Sequence, residues 1–231
     1  AALSRYALPV PLEVWAEGAA LLLAFEASPS VPLSAVIEAA RARGKLRDDE
    51  VLALALLGAE SLALWHQARV VHGAICPENV LITARGDLLL DGGMALPRLL
   101  PRESPELGDE SRYRAPELIM GEEFEAPADC FSFALTLLEV ETLEHPFEGE
   151  TAAELAKRVR HGHRRGQSAR AALERVWSRA LERPPALRPP SAVQLAEDLR
   201  EIGAGMREPR VVVRGLLARL GLSDQPQRVA A

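Results

Sequence analysis

The side chains best suited to chemistry lie in one short stretch, His72-Gly73-Ala74-Ile75-Cys76-Pro77-Glu78-Asn79, and at Asp91-Gly92-Gly93 beyond it. A cysteine becomes a nucleophile or redox group only when a nearby cation or a helix N-terminus lowers its pKa. The sequence supplies neither around Cys76, so Cys76 reads as a small apolar filler, and Cys130, which opens an apolar helical run, reads as core. These two cysteines, 54 positions apart, do not form a disulfide framework and point to a reducing, cytoplasmic compartment. Asp91 and Asn79 are the residue types that cap their own turns by accepting local backbone N–H bonds. Neither the cysteines nor the five histidines fall into a metal-ligand spacing. The nearest cluster, His161-Gly162-His163-Arg164-Arg165, reads as a solvated basic loop, and no metal site is expected.

Elements must hold these residues in place. Leu88-Leu89-Leu90 is a short apolar run of the kind that forms a buried strand, and it delivers Asp91. Residues 32–42 carry Leu33, Val36 and Ile37 at helical spacing, and Gly44 provides a stop. Residues 49–67 form a longer pattern in which Leu52, Leu56, Ala59, Ala63 and Trp65 are spread widely enough to predict a helix buried on most sides. Thr151 with Glu154, and Ser191 with Gln194, have the capping-box form at two further helix starts, the second reinforced by Pro189 and Pro190. At the end of the chain Val211, Val212, Leu216, Leu217, Leu220 and Leu222 interleave with Arg210, Arg214 and Arg219. This amphipathic stretch is expected to dock on its own domain or on a protein partner; it lacks the aromatic anchor a membrane surface would call for.

With 231 residues, 48% of them hydrophobic, the chain is long enough for one compact unit. Its net charge of −6 leaves no basic footprint for nucleic acid. Arginine outnumbers lysine, which occurs only at Lys45 and Lys157, a bias of the kind a GC-rich genome produces. There is no repeat, no signal-peptide pattern and no apolar run long enough to span a bilayer.

Taken in order, the motifs resemble those of the protein kinase superfamily, serine/threonine type, over most of the chain. His72 to Asn79 is similar to the catalytic loop H-R-D-L-x-x-x-N, with Ala74 at the Asp position and Gly73 at the Arg position. Asp91-Gly92-Gly93 stands where such proteins have D-F-G, and Ala115-Pro116-Glu117 matches A-P-E. Asp129-Cys130-Phe131-Ser132, His145-Pro146-Phe147 and Leu187-Arg188-Pro189 resemble three later landmarks of the lower lobe. The resemblance implies an α+β, protein-kinase-like fold made mainly of the helical C-lobe. It places N-lobe strands and a hinge in residues 1–30, the C-lobe in 31–204 and an amphipathic extension in 205–231.

The resemblance also assigns roles. Ala74 cannot accept a proton, and the phosphate-binding lysine of the upper lobe has no counterpart, so the resemblance implies a pseudokinase, not an enzyme. It would act as a scaffold or allosteric regulator whose partner is a protein, such as a kinase or another signalling component. Asn79 and Asp91 occupy the two metal-holding positions and would bind ATP and magnesium only weakly, so no cofactor is expected. His72 is expected to pack rather than act as a base, and Cys76 stands where a lysine usually touches the transferred phosphate. Glu117 and Arg188 are implied to form a buried salt bridge, and Asp129 to hold the catalytic-loop backbone. Gly92 replaces the packing Phe, while Ser104 and Ser111 lie in a proline-rich activation segment and read as ordinary loop residues. The alternative is a nucleotide-binding protein with residual or unconventional transferase activity.

Overall fold

The computed structural model describes residues 13–17, 20–24, 30–91, 112–123, 125–147 and 171–223. Strands β1 (Glu13–Glu17) and β2 (Ala20–Ala24) pair antiparallel, with Glu13 opposite Ala24. A second sheet has the order β3 (Ser30–Pro32), β4 (Val80–Thr83), β5 (Leu88–Leu90), all antiparallel. Ser30, expected in the connection between lobes, instead opens β3 opposite Thr83. The alternating burial of β4 and β5 places Val80, Ile82, Leu88 and Leu90 inside.

The helices are α1 (Leu33–Arg43), α2 (Asp48–Gln67), α3 (Pro116–Ile119), α4 (Ala126–Thr142), α5 (Ala171–Ala180), α6 (Ala192–Ile202) and α7 (Pro209–Arg219). A short 3₁₀ turn, Pro185–Leu187, precedes α6. Gly44 closes α1 at φ 113°, a backbone angle that favours glycine. Helix α2 is central. It packs against α4, α6, α7 and β5 and buries apolar side chains around most of its circumference, as its sequence pattern requires. At Gly58 a Cβ would stand 2.7 Å from the Phe133 ring, so glycine is what allows α2 and α4 to approach there.

One large core joins α1, α2, the second sheet, α4, α5, α6 and α7. A smaller cluster contains Cys76, Tyr113, Phe131, Leu135 and Phe147. The C-terminal amphipathic stretch is a full participant: Val212, Val213, Leu216, Leu217, Leu220 and Leu222 are buried in the large core. Its arginines are tied down as well, Arg210 to Asp87 at 2.6 Å and Arg219 to the fully buried Glu50 at 2.6 Å. It docks on its own domain.

Ser191 does stand at the N-cap of α6, but its side chain makes no capping bond, and Gln194 turns away to Asp198. The capping acceptor is the imidazole of His66, which receives the Ala192 N–H at 2.9 Å. Gly92 and Gly93, the segment with Ser104 and Ser111, the Thr151 cap and the His161–His163 cluster lie outside the described residues. No helix among the described residues is long and apolar enough to cross a membrane.

Candidate functional site

The loop between α2 and β4 is irregular, so its backbone groups need partners from elsewhere. Asp129, in the first turn of α4 and almost completely buried, provides them. One carboxylate oxygen accepts the His72 N–H and the other the Gly73 N–H, each at 2.7 Å. His66 Nε2 also contacts Asp129 at 2.9 Å. Because His66 Nδ1 accepts from Ala192, the ring proton sits on Nε2 and is donated to Asp129. A single imidazole thus links α2, α4 and α6 behind the loop. Gly73 adopts φ 78°, a left-handed angle open to glycine at little cost.

His72 is fastened on all sides. Its Nε2 donates to the Asp91 carbonyl at 2.8 Å, and its ring meets Trp65 edge-on at 4.7 Å between centroids. Burial pushes its pKa below the usual imidazole value, more strongly than the charges of Asp129 and Asp91 raise it. A neutral ring whose proton is already donated joins the loop to the end of β5 and is not placed to take a proton from a substrate. Ala74 is buried beside it and presents only a methyl group.

Asn79 and Asp91 are brought together at adjoining ends of β4 and β5. The Asp91 N–H donates to the Asn79 carbonyl at 2.8 Å. The Asn79 side-chain N–H₂ donates to the Ala74 carbonyl at 2.9 Å, which leaves its amide oxygen as an acceptor. The Asp91 carboxylate makes no ion pair or hydrogen bond with another described residue. Two half-buried oxygen donors, one of them anionic, fit a hard divalent cation of the magnesium type. Among the described residues no group of three or more His, Cys, Asp or Glu converges for a metal.

Glu117 and Arg188 meet in a forked pair at 2.6 and 2.9 Å. The remaining Arg188 donors reach the carbonyls of Glu182, Arg183 and Pro127, and its guanidinium lies over the Phe131 ring at 4.8 Å. The pair pins α3, the end of the activation segment, to the turn before α6. Both cysteines are buried. Burial, aided by the neighbouring Asp129 charge, pushes the Cys130 thiol up to about 12, so it stays protonated. Cys76 lies within the smaller core cluster.

The sequence did not single out His66 or the bridge at Glu139. Tyr113 donates its hydroxyl proton to Glu139 at 2.6 Å, and Arg41 on α1 donates to the other oxygen at 3.0 Å. Burial first, and the Glu139 charge second, raise the Tyr113 pKa well above the usual phenol value. The one available signal was a carboxylate inside an otherwise apolar helix, which demands a partner without naming it.

Comparison with known proteins gives the family. The profile described as "Protein kinase domain" matches residues 11–204, well over half of the chain. The chain is 34% identical over 153 residues to the proto-oncogene serine/threonine-protein kinase mos of Sus scrofa, covering 62% of this chain and 44% of that protein. It is 30% identical over 132 residues to the MAP kinase kinase skh1/pek1 of Schizosaccharomyces pombe, covering 56% of this chain and 36% of that one. The serine/threonine-protein kinase PknA of Corynebacterium glutamicum is 27% identical over 183 residues, covering 76% of this chain and 38% of that protein. The chain therefore spans less than half the length of these curated relatives.

These matches correct one expectation. A chain that is not an enzyme was the reading drawn from Ala74 and from the missing lysine, but the relatives are named as protein kinases and the shared domain is a protein kinase domain. Physically, Ala74 removes one proton acceptor while the framework that positions the loop stays in place, so the substitution by itself is no demonstration of inactivity. With its mostly helical lower lobe, its loop held by Asp129 and the match across residues 11–204, the chain belongs to the protein kinase family.

Proposed function

We propose that this chain is the phosphoryl-transferring part of a kinase-like protein that works without a side-chain proton acceptor at position 74. Phosphoryl transfer passes through a loose transition state, and catalysis by this fold is mostly positioning and charge stabilisation. Losing the acceptor therefore slows the reaction without removing its basis. Asn79 and Asp91 are the residues that would hold a magnesium ion, which when bound with ATP neutralises phosphate charge. This chain's own contribution is the rigid loop: Asp129 fixes the His72 and Gly73 amides, His72 fixes the end of β5, and Asn79 fixes the Ala74 carbonyl. The observation that carries the reading is that every fastening of the loop is present around an unreactive methyl.

The test is transfer of labelled phosphate from ATP, with magnesium and with manganese, to generic protein acceptors and to the protein itself, using the full-length protein that contains this chain. Slow transfer is expected. It should rise roughly 10²- to 10⁴-fold in Ala74→Asp, the range a positioned acid–base group supplies, and disappear in Asp91→Ala. Transfer unaffected by Asp91→Ala would sink the proposal.

A second role, holding a protein partner such as a kinase or another signalling protein, is supported by the exposure of Met120 at the end of α3 and of Leu187 in the 3₁₀ turn. The two buried free cysteines support a reducing, cytoplasmic setting.

A further inference from the structure

Between the end of α2, the start of α4 and the turn Pro185–Leu187 lies a cavity of about 400 Å³. Its apolar lining comes from the half-buried Val70, Val71 and Pro127 and, at the exposed edge, from Pro185 and Pro190. The polar side chains that reach it from inside are already committed. Both ring nitrogens of His66 are bonded, to Asp129 and to Ala192, and every N–H of Arg188 has an acceptor.

Two charged groups of the lining differ. Arg69 and Glu125 are exposed, and neither side chain makes an ion pair or hydrogen bond with another described residue. Arg69 also has a left-handed backbone at φ 60°, a conformation that glycine or asparagine adopts at lower cost, so the turn alone does not account for an arginine. An apolar lining flanked by one positive and one negative charge, neither paired with another described residue, is complementary to a segment that carries apolar side chains between opposite charges. The cavity's volume falls in the range of roughly 300–1,000 Å³ typical of sites that enclose a small ligand.

We propose that this cavity docks a short extended segment of a protein partner. An aliphatic side chain sits against Val70, Val71 and Pro127, an acidic residue faces Arg69 and a basic residue faces Glu125. Val70 and Val71 run directly into His72, so the occupant touches the segment that feeds the catalytic loop while staying off Asn79 and Asp91. The inference does not depend on phosphoryl transfer.

The test uses three fluorescein-labelled peptides blocked at both ends: Asp-Leu-Leu-Lys, Lys-Leu-Leu-Asp and, as control, Asp-Ser-Ser-Lys. They are titrated against the purified full-length protein by fluorescence anisotropy. One of the two leucine peptides should bind at least about three-fold more tightly than the other, within what exposed ion pairs supply, and the serine control should not bind. Arg69→Gly should weaken the favoured peptide about three-fold or more without lowering the melting temperature. The doubly reversed variant, Arg69→Glu with Glu125→Lys, should prefer the opposite peptide order, which a purely structural role for these residues would not produce. No binding by either leucine peptide, equal binding by both, binding of the serine control, or an unchanged preference in the reversed variant overturns the proposal.

Discussion

All five N–H donors of Arg188 are engaged, two of them by Glu117, in a region where both side chains are nearly inaccessible to water. Truncating Arg188 to Ala leaves a buried carboxylate with no counter-charge, and the expected loss is about 3–5 kcal/mol, read from the midpoint of urea unfolding. The double variant Glu117→Leu with Arg188→Met should lose much less than the sum of the two single variants, because it removes the stranded charge along with the pair. A sum reached in full would mean that the two residues are not coupled. Both positions, and Asp129, were legible from motifs in the sequence, because each sits in a recognisable local string. His66 was not. It lies in a helical pattern whose neighbours are mostly apolar, and its two bonds reach Asp129 and Ala192, 63 and 126 positions away. Nothing local marks such a residue.

At the scale of elements, α1 was legible from its hydrophobic period and the stop at Gly44, α2 from its wide apolar spread, β5 from its short apolar run, and α4 from the apolar run that Cys130 opens and from the motif at Asp129. The attachment of α7 was legible only as amphipathicity; where it attaches is set by tertiary contacts. One of these is a close approach at the turn between β4 and β5. A Cβ on Gly86 would stand 2.5 Å from the Arg210 carbonyl oxygen, and Gly86 has φ 83°. Gly86→Ala therefore combines a strained backbone with a clash against the start of α7, and should cost roughly 1–3 kcal/mol in thermal or urea unfolding. The neighbouring Asp87–Arg210 pair would be displaced with it. A neutral outcome would show that α7 can shift without loss. The capping box expected at Ser191 was misread for an instructive reason. The sequence pattern specifies an acceptor for the helix start, and here an imidazole from another helix fills that need.

For the molecule as a whole, acidification should destabilise the fold in two steps. Burial holds His72 and His145 below their unfolded value of 6.5, against the opposing pull of nearby acidic groups. The unfolded chain therefore binds protons first, and stability falls as the pH drops below about 6.5. Glu50 adds a second step. Burial alone would raise its pKa, but the bonds from Arg219 and from the Arg47 N–H, with their charges, hold it below 4.5. Its contribution is present above that value and is lost as the pH falls through the folded pKa. Melting temperatures measured from pH 7.5 to 3.5 should show both declines, and His72→Gln should flatten the upper one. A melting temperature that is constant from pH 7 to 5 would contradict the assignment.

The packing of α7 onto α2 also sets an order of events during synthesis. The bond between Arg219 and Glu50 spans 169 positions. A ribosome adding about 5–20 residues per second needs on the order of ten seconds or more to cover that distance. Through that interval α2 has emerged with its apolar circumference complete and its last partner not yet made. A helix buried around most of its circumference in the finished protein thus waits in the open for its last partner, where chaperones and aggregation compete for it.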